Sequence, residues 1–331
     1  MKKILFAMAA LLGCATVSLA QNNYVATLQH EGAFTHYYGS GALTSAYNAA
    51  AEGDTITLSP GTFSSPGTID KGITLRGAGI DAATKSYVSG NVTFCSTDSD
   101  RVVTTEGVWF SNRIFVQNNS AKNGQGKIKF VKTQFAGGFT ANKGTTYSTV
   151  KGPETRIYNV RSNDNFYYES NSFPDIFVYN SYIDYPYSDF AETTSAFINC
   201  FINYTAGTYY NSSVAQQRAN NMNFYNCIFN HTSPNHNYYF PNTVTCYNCL
   251  CYGRNTLFDH LLYGGNNNYV SGIFSSEEGH KWYELTPEAQ ETYLGTDGTQ
   301  VGFYGGSYPY NTKVQYPIVT NFSSDVQTSK E

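Results

Sequence analysis

Ile157-Tyr158-Asn159-Val160-Arg161-Ser162 is the first of five hexads that share one pattern. The others are Val178-Tyr179-Asn180-Ser181-Tyr182-Ile183, Phe197-Ile198-Asn199-Cys200-Phe201-Ile202, Phe224-Tyr225-Asn226-Cys227-Ile228-Phe229 and Cys246-Tyr247-Asn248-Cys249-Leu250-Cys251. Each reads apolar, variable, Asn, small, variable, then usually apolar. The asparagines lie 21, 19, 27 and 22 residues apart, close to the length of one β-solenoid coil, so each hexad is one rung. Successive strand side chains face opposite sides, which sends the flanking apolar positions and the small residue after Asn inward and the variable ones outward. Asn then occupies the turn between two strands. Its short amide tolerates the left-handed backbone region, and stacked copies are expected to hydrogen-bond as a ladder along the axis. These asparagines are structural, not catalytic. Phe130-Val131-Lys132-Thr133-Gln134-Phe135 fits with Lys132 in the Asn place, and Phe110-Ser111-Asn112 fits only if Arg113 points inward. The expected fold is all-β: a single-stranded, right-handed parallel β-helix of about ten coils in one domain.

Upstream, Leu43, Ala46, Tyr47 and Ala50 fall at i, i+3, i+4 and i+7, which predicts a short amphipathic helix ending at Glu52-Gly53 and capping the first coil. Asp54 to Leu58 alternates as a strand, Ser59-Pro60-Gly61 turns, and Gly72 to Gly77 begins another strand. The run Ala51-Glu52-Gly53-Asp54-Thr55-Ile56-Thr57-Leu58-Ser59-Pro60-Gly61-Thr62-Phe63, followed by Ile73-Thr74-Leu75-Arg76-Gly77-Ala78-Gly79, resembles the opening of secreted pectate-lyase-like β-helix proteins. Gly295-Thr296-Asp297-Gly298-Thr299-Gln300-Val301-Gly302-Phe303-Tyr304-Gly305-Gly306 resembles their closing segment in Bacteroidetes secreted proteins. The resemblance spans residues 43 to 310. It implies fold and export but no particular activity, because that superfamily holds lyases, hydrolases, epimerases and non-catalytic adhesins.

The first residues are Met1-Lys2-Lys3, an apolar run from Ile4 to Gly13, and Ser18-Leu19-Ala20 before Gln21, the form of a signal peptide. The expected organisation is a leader over 1–20, the β-helix over 21–310 and an irregular tail or linker over 311–331. Leu11-Leu12-Gly13-Cys14 also resembles a bacterial lipobox, and a lipid on Cys14 would be the one route to membrane attachment. The expected location is therefore secreted, or the outer surface or periplasm of a Gram-negative bacterium. Charged residues make up 13% and the net charge is -4, so there is no basic footprint for nucleic acid. Aromatic residues reach 16%, with 29 Tyr, a composition suited to exposed β surfaces and carbohydrate contact.

Cys200, Cys227 and Cys249 share the small inward place, while Cys246 and Cys251 sit in apolar columns. Stacked core thiols account for all five without a ligand. One disulfide in an oxidising compartment is the alternative, and no metal site is assigned, although Cys246-x-x-Cys249 has ligand-like spacing. His231 and His236 read as solvated loop residues.

A polysaccharide lyase needs a base and either carboxylate-held calcium or cations to neutralise a uronate. A glycosidase needs two carboxylates. Candidates cluster between 154 and 192: Glu154, Arg156, Arg161, Asp164, Glu169, Asp175, Asp184, Asp189 and Glu192. The catalytic candidates are Arg156, Arg161, Asp184 and Asp189, Arg161 because it breaks an apolar column and is expected to project sideways or inward. No cofactor is expected, apart from calcium in the lyase case. The glycan-binding candidates are Tyr158, Tyr179, Tyr225 and Tyr247, an outward column just before each Asn, with rings repeating at single-coil intervals. A second outward column, Tyr182, Phe201, Ile228 and Leu250, is also apolar; loops over 203–222 and 230–243 are the expected cover if such columns are not left open. The leading expectation is a secreted or surface glycan-interacting protein whose partner is a polysaccharide or surface glycan. A uronate-polysaccharide lyase comes second and a ligand-free, adhesin-like structural protein third.

Overall fold

The computed structural model describes residues 24–81, 85–95, 102–117, 126–142, 153–164, 166–169, 175–184, 186–188, 195–203, 221–231, 240, 242–253, 256–275 and 282–315. Over these the chain is a right-handed parallel β-helix with three sheets, of twelve, ten and six strands. The first sheet opens with a hairpin of β1 (Val25–His30) and β2 (Ala33–Tyr38), and β1 also pairs antiparallel with β3 (Thr55–Leu58). From β3 onward the ten strands of this sheet are all parallel, one per coil, and the coils are numbered 1 to 10 from that strand. No helix among the described residues is long and apolar enough to cross a membrane.

The corner between the first and second sheets explains the hexad pattern. Lys132, Asn159, Asn180, Asn199, Asn226, Asn248 and Asn266 occupy it in coils 4 to 10, all with φ between 46° and 57°. Lys132 thus takes the Asn place, as its hexad predicts. In coil 3 the corner is Gly107, at φ 66°, following the strand Val102–Glu106. Phe110-Ser111-Asn112 is therefore not a rung of the expected kind: Trp109–Phe110 belongs to the second sheet and Arg113 is exposed at the next corner. After the corners of coils 3 and 5 an inward valine follows, Val108 and Val160, and after those of coils 4 and 6 to 9 a small inward residue that also donates a hydrogen bond. Thr133, Ser181, Cys200, Cys227 and Cys249 each donate to the carbonyl two residues back (Val131, Tyr179, Ile198, Tyr225 and Tyr247). The same carbonyls also accept a backbone N–H from the preceding coil, so the side-chain donor adds a second bond to each. All six cysteines among the described residues are buried and unbridged, and burial pushes the Cys227 and Cys246 thiols up, keeping them protonated.

Inside the coils large apolar groups stack in register, with Phe130, Ile157, Val178, Phe197 and Phe224 following one another through the first sheet. On the third sheet Phe139 and Phe166 lie 4.4 Å apart and nearly parallel. Each such side chain contributes ~1.5–3 kcal/mol by leaving water.

The N-terminal end is closed by the hairpin and by α1 (Ala42–Ala49), which buries Ala42, Leu43, Ala46 and Tyr47. The helix stops at Ala49, short of the expected Gly53, because Ala50 is extended. Lys71 Nζ then donates to the Tyr47, Asn48 and Ala50 carbonyls, satisfying acceptors that the helix end leaves open. Asp54 is buried, accepting from the Ala51 amide and pairing with His30 at 2.9 Å.

At the other end the chain turns back on itself. After coil 10, residues 273–275 and 282–303 pack a second apolar cluster against the outside of the second sheet: Ile273, Leu285, Ala289, Val301 and Phe303 meet Tyr182, Phe201, Ile228 and Leu250. The segment includes α2 (Pro287–Thr292), capped by the Thr286 side chain, which accepts from the Ala289 amide. Residues 295–314 then run as a strap along the corner back toward coil 2. The Asn226 side chain accepts from the Thr296 amide, and Asn180 Nδ2 donates to the Phe303 and Gly305 carbonyls. Asn159 donates to the Tyr308 carbonyl and accepts from the Asn311 amide, and Lys132 donates to the Lys313 carbonyl. Thr312 reaches Asp81, and Val314 lies against Gly79. The corner asparagines thus clasp the strap; the expected hydrogen bonding from one to the next is replaced by this contact. The glycines of the strap have a reason as well: a Cβ at Gly302 would stand 2.5 Å from Ile228 Cδ1, and one at Gly295 would stand 2.8 Å from Asn226 Cγ. The leader over 1–20, Cys14 and residues 316–331 lie outside the described residues.

Candidate functional site

Two outward columns flank the asparagine corner and have different fates. On the second-sheet side, Tyr182 and Phe201 stack at 5.6 Å, and Tyr283 covers Phe201 at 4.3 Å. With Ile228 and Leu250 they are buried beneath the chain's own returning segment, while most of the loops over 203–222 and 230–243, the expected cover, lies outside the described residues. On the first-sheet side, Tyr158, Tyr179 and Tyr225 are half-buried and Tyr247 is 36% exposed. Ile198 stands between the two pairs.

The tyrosine geometry differs from a row of open faces. Tyr158 and Tyr179 are parallel within 7° at 4.9 Å, and Tyr225 and Tyr247 within 6° at 6.1 Å. Rings repeating at the coil spacing of ~4.8 Å lie against one another, leaving edges and hydroxyls toward water. Tyr308 of the strap meets Tyr158 edge-on at 5.4 Å, and Lys129 Nζ sits 5.4 Å from the Tyr158 ring centre. Burial and the neighbouring Tyr158 raise the Tyr179 hydroxyl above its ordinary pKa.

Arg156 belongs to this same face, two places before Tyr158. Its Nε donates to Glu154 at 2.6 Å, which raises the guanidinium further, and Lys127 is 3.9 Å from the same carboxylate. Arg161 lies on the second sheet in the column of Tyr182. It points outward, neither inward nor sideways, because Ser162 takes the inward place, and its guanidinium sits 4.7 Å over the Trp282 ring. That contact rationalises a cation at the edge of an apolar column.

Asp184 ends the coil 6 strand of the second sheet, where Asn203 donates to it at 2.7 Å and Asn230 donates to Asn203 at 3.0 Å. Burial raises the Asp184 carboxyl pKa, opposed by the Asn203 and Tyr182 hydrogen bonds and by the field of Arg161. The structure therefore brings Arg161 near Asp184 and leaves Arg156 on the other face of the corner. Asp189 and Glu192 lie outside the described residues, as does the side chain of Glu169. His231 is buried at the end of the strand Ile228–His231, not solvated in a loop, and His236 lies outside the described residues. Among the described residues no three His, Cys, Asp or Glu side chains form a metal-sized group. An open depression of about 560 Å³ between α2 and the strap is lined by one carboxylate, Glu291, where a glycosidase would need two.

Sequence reasoning missed Trp282, Tyr283 and Tyr308, whose positions beside the two columns depend on the turn-back of the chain. Comparison with known proteins finds no matching family model, no matching curated protein and no matching solved structure.

Proposed function

We propose that the chain is an exported β-helix protein that interacts with glycans through the outward tyrosine face of its first sheet. The observation that carries this reading is the unequal treatment of the two columns. The chain covers Tyr182, Phe201, Ile228 and Leu250 with its own C-terminal segment, yet leaves Tyr158, Tyr179, Tyr225 and Tyr247 at the surface beside Lys129, Arg156 and Glu154. Hydroxyl edges backed by ring carbon suit the mixed polar and apolar surface of a sugar chain. Kinship with secreted pectate-lyase-like proteins of Bacteroidetes type belongs to the same proposal, supported by residues 51–63, 73–79 and 295–306.

A lyase acting on a uronate-containing polysaccharide is the second reading, favoured by Arg161 lying near a carboxyl whose pKa burial has raised. One experiment separates the two. The intact protein is incubated with neutral and uronate-containing polysaccharides while retention and the ultraviolet absorbance of an unsaturated uronide are followed. Retention without new absorbance supports the binder, new absorbance supports the lyase, and neither signal on any polysaccharide overturns both.

A further inference from the structure

The six asparagines at the corner divide into two groups. Asn159, Asn180, Asn199 and Asn226 are buried beneath the strap. The strap first meets the corner at Asn226, through Thr296, so coils 9 and 10 lie beyond its reach. There Asn248 is half-buried and Asn266 exposed, and among the described residues neither side-chain amide has a hydrogen-bond partner.

The tyrosine column ends at the same two coils. In the register of the first sheet the place beyond Tyr247 is held by Gly265. The Tyr247 ring leans over that glycine, so that a Cβ there would stand 3.1 Å from Cδ1 and 3.2 Å from Cε1. Among the described residues no aromatic ring follows Tyr247 in the stack. Tyr263, on the outer face of the last strand, is 62% exposed, and Leu262 beside it is 50% exposed. Residues 244–253 and 261–273 carry no charge, in contrast to the Lys129, Glu154 and Arg156 region of coils 4 and 5.

We propose that this open end of the corner is a subsite for a neutral sugar unit, seated against Tyr247 above Gly265 and held by the Asn248 and Asn266 amides. The assignment rests on the glycan reading and sharpens it. A primary amide offers both donors and an acceptor, which matches a pair of neighbouring hydroxyls, and a tyrosine ring offers apolar area to the C–H face of a pyranose. A uronate would bring a carboxylate against two stretches, 244–253 and 261–273, that contain no cation to receive it. The strap shows the same asparagine chemistry satisfied by peptide carbonyls and amides farther along the corner.

The test is calorimetric titration of the intact protein with cellohexaose, mannohexaose, xylohexaose and hexagalacturonate. The proposal expects one neutral hexaose to bind at least about tenfold more tightly than the uronate. It also expects the Asn248→Gly/Asn266→Gly pair, which keeps the left-handed backbone of both corners, and Gly265→Val each to weaken that binding about tenfold, with the pair retaining the parent melting temperature. Gly265→Val displaces the Tyr247 ring, and the asparagine pair covers the case in which that variant folds poorly. Binding by the parent that survives both substitutions would overturn the subsite while leaving the glycan reading intact. Preference for hexagalacturonate would overturn the neutral assignment, and no binding of any hexaose would sink the glycan reading together with the subsite.

Discussion

The outward columns on either side of the asparagine corner begin from similar chemistry and end in opposite environments. Tyr182, Phe201, Ile228 and Leu250 are apolar enough to recruit the chain's own C-terminal segment, and Phe303, Val301, Leu285 and Ile273 bury them. Tyr158, Tyr179, Tyr225 and Tyr247 have the same spacing, but each ends in a hydroxyl that keeps its hydrogen bonds by staying near water. The lesson is that regular outward aromatics on a solenoid do not by themselves signal a ligand surface; the path of the rest of the chain decides, and Tyr182 shows that a hydroxyl can be covered where a partner such as Asp184 receives it.

The contrast can be broken by substitution. Phe224→Ala, inside the coils, is expected to cost ~3–5 kcal/mol, because its neighbours Phe197 and Phe229 cannot collapse into the space. Chemical denaturation would show this as a lowered midpoint. Phe303→Ala should approach that loss if the covered column is a true second core, and a loss below ~1 kcal/mol would demote the strap to loose cover. Asn180→Gly keeps the left-handed corner but removes the donor to two strap carbonyls and should cost ~1–2 kcal/mol, whereas Asn248→Gly should leave stability within ~0.5 kcal/mol. Tyr225→Ala with Tyr247→Ala should cost no more than ~1 kcal/mol. A loss of several kcal/mol would place the tyrosine column among the covered surfaces.

The smallest expected effect is at the N-terminal cap. The hydrogen bond to Asp54, and then its charge, raise the His30 pKa above the ordinary value of 6.5. The folded state therefore binds that proton more tightly than the unfolded chain. The resulting stability is fully present below pH ~6.5 and is lost as pH rises through the folded pKa. The melting temperature should fall slightly across that window, and His30→Gln should flatten the slope. An unchanged slope in the variant would assign the pH dependence elsewhere.

Most of the solenoid was legible because Asn159, Asn180, Asn199, Asn226 and Asn248 mark one strained corner per coil, a local requirement of backbone geometry. The thiol column was legible for the same reason, since the place after each of those corners points inward and takes a small or β-branched residue, Cys in coils 7 to 9 and Val in coil 5. Coil 3 was harder to read, because Gly107 meets the same requirement without resembling Asn. The hairpin of β1 and β2 went unread, although Glu31 and Gly32, both at positive φ, form its two-residue turn. At the candidate site, Arg161 was noticed as an exception; its outward direction follows from strand alternation with Ser162, but its partner, the Trp282 ring, lies far along the chain. The strap has no periodicity, and its partners are 123 to 152 residues away in sequence for the Asn180 and Asn159 contacts. Strand alternation and turn propensity carry no information about such contacts.

That strap has a consequence for the lineage of the protein as well as for its stability. A solenoid is ordinarily free to gain or lose whole repeats, since each coil touches only its neighbours. Here one stretch of chain is fastened at Asn226, Asn180, Asn159 and Lys132 in turn. Duplicating or deleting a coil between those points would shift the later attachments by ~4.8 Å, one strand spacing. The strap acts as a ruler, and the number of coils beneath it can change only if the ruler is recut at the same time.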